Sequence, residues 1–301
     1  MIPYRRTDWL HLLVSPRGTF SSGVPTRVLS FGLIALAVWA GHRVTNRVEL
    51  GVGLHEVAGA VIALMLAFRV NTGYNRFWEG RTLWGAIVNA ARSVTRIVNE
   101  HAAVDEAEKR DFAVWTVVFV HACRRSLRAE DEHPEVARLI SPDEAAAYAA
   151  APHRPMFAAA RMSARINRYL RDGVMDPMMA QRAESEVVDL MVRIGGAERI
   201  LKTPTPLGIV LLLQRAIALF LATLPLALVH TLGVFTVLVT MMVAYLVLMI
   251  EALGAELDDP FGHEPNDLPL SRITDTIEKN LLGSSPLELI LASTPTPGYE
   301  D

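Results

Sequence analysis

From Leu207 to Ile250 the chain carries one formal charge, Arg215. A stretch this apolar cannot be spread over the surface of a soluble domain. It holds two consecutive runs, 207–229 and 230–250, and each matches the about 20 residues that cross a bilayer as a helix. The second run has no charge at all and is the stronger span. His230-Thr231-Leu232-Gly233 is the only polar link between them, which predicts a tight antiparallel hairpin. Composition agrees. Of 301 residues, 51% are hydrophobic and 20% charged, against about 25% charged in ordinary soluble domains. Such apolar content excludes disorder for most of the chain.

A second hairpin is predicted nearer the N-terminus. Between Arg27 and Arg43 lies VLSFGLIALAVWAGH, free of formal charge. It is slightly short for a span, and Ala35-Leu36-Ala37 mimics a signal-peptidase site. The polar segment before it is too long for a signal peptide, so a first membrane helix is the better reading. The next apolar stretch, Val57 to Phe68, is shorter still. The helical period nevertheless continues through Asn71, Asn75 and Glu79 with no proline until Pro134. This reads as one long helix that spans the membrane and runs on into a polar domain.

The charges are segregated. Twenty of the 29 Lys and Arg residues lie between Arg69 and Lys202, and only Arg215, Arg272 and Lys279 follow. Four spans place both termini and the 71–206 segment on one side, and Arg5, Arg6 and Arg17 mark that side as cytoplasmic. The expected organisation is a cytoplasmic N-terminal segment 1–26, hairpin 27–70, a cytoplasmic helical domain 71–206, hairpin 207–256 and a cytoplasmic tail 257–301. Within the cytoplasmic part, helices are predicted over 106–129, from the Ser141/Glu144 capping box to Ala150, and over 156–172, 178–202 and 272–282. The turn-rich stretch 130–155 connects them.

Signatures of catalysis are missing: no phosphate-binding loop, no H-E-x-x-H and no G-x-S-x-G. The lone Cys123 excludes an internal disulfide and offers no zinc-ligand spacing. A formal net charge of −3 gives no reason to expect nucleic acid as a partner. His121, on an apolar helix, reads as a satisfied buried residue.

The informative pattern lies on the second helix. Glu56, Ala60, Leu64 and Phe68 recur every four residues and drift by only about 40° per step, so they share one face. That face either packs against neighbouring helices or lines a pore. As a pore lining, Leu64 and Phe68 form apolar rings that gate by dewetting, and Glu56 forms a charged outer ring. Arg69 follows Phe68 but is turned about 100° away from it.

At these residues the sequence resembles the bestrophin family of ion channels, in its bacterial branch. AFRVNTGYNRFWEGRTLWGAIVNAAR (67–92) is similar to the family's G-F-R-N-N-x-x-Y-x-R-W-W-E-x-R-x-L-W-G segment. DDPFGHEPNDLPL (258–270) is similar to its D/N-P-F-G and acidic stretch, and ERILKTPTPLGIVLLLQRAI (198–217) also matches. The resemblance spans roughly residues 3 to 285. It implies an all-α membrane protein: a homopentamer with four transmembrane helices per subunit, a helical cytoplasmic domain, and one central pore lined by the second helix. The family's neck maps onto Ala60, Leu64 and Phe68. Ala60 is smaller than the usual residue there, so the gate rests on Leu64 and Phe68. A cytoplasmic aperture follows an Asp-Pro pair in the family, here Asp176-Pro177, and maps onto Met178. The alternative for Met178 is an ordinary core methionine.

Animal members bind calcium through consecutive acidic residues after P-F-G. Here Asp259, Glu264 and Asp267 are the available oxygen ligands, but Pro265 interrupts the run. Bacterial members are not expected to be calcium-gated, so no cofactor is required. The alternative for this loop is a structural turn with capping carboxylates. The resemblance implies self-association in the inner membrane and conduction of monovalent ions. Animal relatives pass chloride and some bacterial ones pass cations; Glu56 and Glu79 favour cations here. A secondary transporter and a non-conducting membrane-anchored scaffold are the rival readings.

Overall fold

The computed structural model describes residues 23–45, 50–264 and 266–283. The basic N-terminal residues Arg5, Arg6 and Arg17, the tail after 283, and Pro265 lie outside these described residues. Among the described residues the chain forms ten helices and no strand, with one isolated bridge between Ala102 and Met175. The helices are α1 (Val24–Thr45), α2 (Val52–His101), α3 (Glu106–Leu127), α4 (Pro134–Ala137), α5 (Pro142–Ala150), α6 (Arg154–Arg171), α7 (Pro177–Lys202), α8 (Leu207–Leu232), α9 (Phe235–Glu256) and α10 (Leu270–Leu282).

The chain divides into two compact units. One comprises the described residues up to Glu79 together with Thr203–Asp267; the other comprises Gly80–Lys202 and the described residues from Leu268. Helix α2 contributes to both, and the division falls within it after Glu79.

The first unit holds four helices long and apolar enough to cross a membrane: α1, α2, α8 and α9. Its interior is a single aliphatic cluster that includes Val28, Ile62, Leu66, Ile217, Leu221 and Leu248. The outward faces are equally apolar, with Leu33, Leu36, Leu212, Leu219, Leu238 and Leu246 all exposed. In water this surface would be a large uncovered patch; in a bilayer it is the lipid-facing side. Helices α2 and α9 cross closely through small residues. A Cβ on Gly73 would stand 2.9 Å from the Gly254 carbonyl, and one on Gly254 would stand 2.9 Å from Arg69 Cγ. Such close approach replaces the hydrophobic drive that is absent in lipid. The α8–α9 link is shorter than predicted. His230–Leu232 belong to α8, and the turn is Gly233, at φ +53°, followed by Val234. Glycine adopts that backbone without the Cβ penalty.

The second unit is an ordinary helical core. Trp84, Trp115, Phe119, Tyr148, Met162, Tyr169, Leu190 and Ile194 are fully buried. Cys123 is buried as well, and burial pushes its thiol well up, so it packs as a small apolar side chain. His121 is half satisfied: Nε2 lies 2.7 Å from Glu278, while Nδ1 is buried with no hydrogen-bond partner among the described residues. The Ser141 hydroxyl accepts the Glu144 N–H and caps α5. The sequence reading missed α4, one turn within the connector, because four residues carry no readable period. Arginines of the amphipathic α6 pair with acids on other helices: Arg161 with Glu144 at 2.7 Å, Arg165 with Asp111, and Arg168 with Glu108. Arg165 also lies over the Trp115 ring.

The α3–α4–α5 corner makes this unit acid-sensitive. Burial alone would raise the Glu135 carboxyl. Hydrogen bonds from Arg124 (2.7 Å) and Arg125 (2.6 Å) outweigh it and hold the carboxyl at about 2. Burial, reinforced by Arg154 and Arg125, lowers His133 to about 4. The His133 ring is therefore neutral, with Nε2 accepting from Arg154 and Nδ1–H donating to the Tyr148 hydroxyl. Both groups are depressed in the fold, so their stabilisation is complete above their ordinary values and fades as pH falls. It is lost between about 6.5 and 4 for His133 and between about 4.5 and 2 for Glu135. Asp267, whose carboxyl is raised to about 6, acts in the opposite sense between about 6 and 3.8, so the apparent Tm of the purified protein is expected to change little down to about pH 4.5 and to fall below it as Glu135 protonates. Glu135→Gln should cost on the order of 2–3 kcal/mol at pH 7 and flatten the part of the profile below pH 4.5.

Candidate pore-lining stripe and its supports

The orientation of α2 is fixed by what it buries. His55, Ile62, Leu66, Arg69 and Gly73 face its own subunit and fall within about 40° of one direction on the helix. Leu64 projects about 180° from that direction, with Ala60 and Phe68 about 40° to either side. All three are exposed, Leu64 by 58% and Phe68 by 62%. The polar residues that continue this direction, Asn71 and Asn75, are exposed too. The structure thus brings Ala60, Leu64 and Phe68 onto one uncovered stripe pointing directly away from the packed core. Glu56 is exposed and has no ion-pair partner among the described residues, but it lies about 80° round the helix from Leu64. It flanks the stripe rather than centring on it.

Arg69 faces the opposite way. Its side chain is 6% exposed and donates to Asp258 Oδ2 at 3.1 Å and to the Thr205 hydroxyl at 2.9 Å. Thr205 in turn donates to Asp258 Oδ1 at 2.7 Å. Two turns on, Arg76 reaches the same carboxylate at 3.0 Å and donates to the backbone carbonyls of Thr203 and Asp258. One carboxylate therefore holds two guanidiniums of the stripe helix, the α7–α8 linker and the segment after α9. Nothing in the sequence singled out Asp258. Its neighbour Asp259 drew attention as a metal ligand, and the partners of Asp258 lie far away in sequence. At the outer part of α2, His55 Nε2 lies 3.0 Å from the Thr223 hydroxyl and fixes α2 against α8.

A family model described as Bacterial/Fungal Bestrophin protein matches residues 1–283. The chain belongs to the bestrophin family. A relative from Nostoc sp., named voltage-dependent anion channel-forming protein, is 30% identical over 280 residues, covering 92% of this chain and 91% of that one. An Escherichia coli protein with the same descriptive name is 30% identical over 287 residues, covering 94% and 93%. Among solved structures, a bacterial bestrophin homolog from Klebsiella pneumoniae superposes with a TM-score of 0.83 at 29% identity, covering 87% of this chain and 98% of that one.

The remaining sequence-derived residues stand as follows in this bestrophin. Met178 is 72% exposed, so it is not a core methionine. Asp176 caps α7 by accepting the Met178 and Met179 N–H groups at 2.8 and 3.3 Å, and Pro177 occupies the first helical position. The thioether therefore projects from the first turn of α7. In the loop after α9, Asp259 accepts the Phe261 N–H at 3.2 Å and Asp267 accepts the Glu264 N–H at 2.7 Å. Both carboxylates face the space beside Gly262. Burial, and then the charges of Asp259, Glu256 and Glu264, push Asp267 up to about 6. Asp267 is spent on the turn, and Glu264 is exposed. Among the described residues no three His, Cys, Asp or Glu side chains are grouped to hold a metal ion. The contacts of Asp259 and Asp267 are those of a capped structural turn.

Proposed function

We propose that this bestrophin is a homopentameric ion channel of a bacterial inner membrane, with both termini cytoplasmic and no catalytic activity. One observation carries the reading. The α2 stripe of Ala60, Leu64 and Phe68 is apolar, uncovered and aimed directly away from its own subunit, with polar side chains continuing it. In a lone subunit that stripe would face lipid, as the outward leucines of α1, α8 and α9 do, but its polar continuation through Asn71 and Asn75 suits a water-filled lumen better. Five copies around an axis turn the stripe into a narrow apolar neck, which conducts only when wetted. The names of the relatives support a channel rather than a transporter or an inert scaffold. Met178 forms the cytoplasmic aperture, and conduction requires no cofactor and no calcium.

The pore prefers monovalent cations. Glu56 is the one charged side chain flanking the neck residues, while Arg69, the nearest cation, is withdrawn into the subunit and neutralised by Asp258. An anion-conducting pore is the second reading, favoured by the printed names of the relatives.

Purified protein of five-copy mass in a planar bilayer should give discrete openings. Saturable slow flux would mean a transporter, and silence a scaffold. Under a salt gradient, Glu56→Gln should reduce the cation preference about tenfold, because a charged mouth concentrates counter-ions by at least that factor. A reversal potential of anionic sign in the wild type, or one unchanged by Glu56→Gln, removes the cation reading.

A further inference from the structure

The membrane-spanning unit contains a recess that the channel reading does not use. It has a volume of about 370 Å³ and opens between α1, α8 and α9, a size that suits a small ligand or lipid headgroup. Its walls are Phe31, Ile217, Ala218 and Leu248. Four polar side chains point into it: Arg27, Ser30, Gln214 and Glu251. Arg27 is the fourth residue of α1, Gln214 the eighth of α8, and Glu251 the sixth from the end of α9. At 1.5 Å per residue all three lie within about 10 Å of the same end of the bundle. That is the depth at which headgroups meet acyl chains.

Glu251 is the decisive residue. It is 6% exposed, and an ionisable group at such a site is costly and calls for a partner. Among the described residues its one hydrogen bond is a long one, 3.4 Å from Gln214 Nε2. Among the described residues no cation reaches it. Arg27 stands at the rim, exposed, with no carboxylate paired to it among the described residues. The Ser30 hydroxyl donates to the Thr26 carbonyl and leaves only a lone pair for a ligand. The recess therefore presents a buried carboxyl group, a rim cation with five donors and an apolar wall, none of them ion-paired among the described residues.

We propose that this recess binds the phosphoethanolamine headgroup of a membrane phospholipid. The ammonium enters to meet Glu251 and the Gln214 side-chain oxygen, the phosphodiester meets Arg27, and the acyl chains leave along Phe31 and Leu248. A phospholipid without an amine cannot answer Glu251. A choline headgroup has no N–H to donate and a bulkier cation.

The test is native mass spectrometry of the full-length protein in detergent, with added phosphatidylethanolamine, phosphatidylglycerol or phosphatidylcholine of matched acyl chains. The wild type should retain phosphatidylethanolamine about fivefold more than either other lipid, the scale of one partly screened ion pair. Glu251→Gln should abolish that preference while phosphate-dependent retention persists. Arg27→Gln should lower retention of all three lipids. Ala218→Phe, which fills the recess without touching a charge, should remove binding. Equal retention of the three lipids by the wild type overturns the proposal, whatever the variants do. So does full binding by Ala218→Phe. Dodecylamine competing as well as the lipid would overturn the phosphate half, by showing a site for lipophilic amines alone. None of these readouts depends on whether the protein conducts.

Discussion

Phe68→Ala should raise the single-channel current about tenfold. Leu64 and Phe68 stand on the uncovered side of α2, and the barrier to conduction is the cost of keeping water inside an apolar ring. A phenyl side chain carries about 1.5–3 kcal/mol of aversion to water, and in the proposed pentamer five of them would share one level of the neck. Lowering the barrier by about 1.4 kcal/mol, less than one side chain's worth, gives the tenfold change. The fold should be untouched, because Phe68 is 62% exposed within the subunit and its loss leaves no cavity there. Ala60, already small, should tolerate substitution by serine with little change. A current that stays level or shrinks in Phe68→Ala would move the gate elsewhere.

Asp258→Ala should have the largest effect on stability. It leaves the Arg69 guanidinium, 6% exposed, with only the Thr205 hydroxyl as acceptor among the described residues, and takes the carboxylate from Arg76 as well. Removing one partner of a buried charge pair costs about 3–5 kcal/mol, because the other charge is stranded. The apparent Tm in detergent should drop accordingly. Asp258→Asn keeps an acceptor for Thr205 and for one guanidinium, so its loss should be about half as large. Equal Tm values for the wild type and Asp258→Ala would mean that the carboxylate is not what holds Arg69 inward. Since Arg69 adjoins Phe68, Asp258→Ala should also change the open probability. Asp259→Ala, which removes only a turn contact, should not.

The spans and the stripe were legible because they depend on local periodicity and apolar length. The long α2 was visible as a helical period without a proline, and its uncovered Ala60, Leu64 and Phe68 as a repeat of four. Neither feature says which side of α2 is covered. That is set by Ile62, Leu66 and Gly73 meeting α8 and α9, contacts between residues more than a hundred positions apart. Asp258 was invisible for the same reason: a carboxylate in a turn-rich loop reads as a cap or a metal ligand until Arg69 and Arg76 are seen arriving from another helix. The α8–α9 turn was misplaced by three residues because His230 and Thr231 look like loop, whereas the helix carries them until Gly233 permits the reversal. The recess around Glu251 was hidden because its polar residues come from three helices far apart in sequence.

No break interrupts α2 between Val52 and Glu79, its share of the first unit, so these residues turn together. Swivelling this stretch enough to re-aim Leu64 would swing Arg69 through the same angle, away from Asp258. Stranding that buried guanidinium costs about 3–5 kcal/mol in each subunit. Re-aiming the Leu64 and Phe68 side chains about their own bonds costs far less, so the proposed neck should open by rotamer change on a stationary rod.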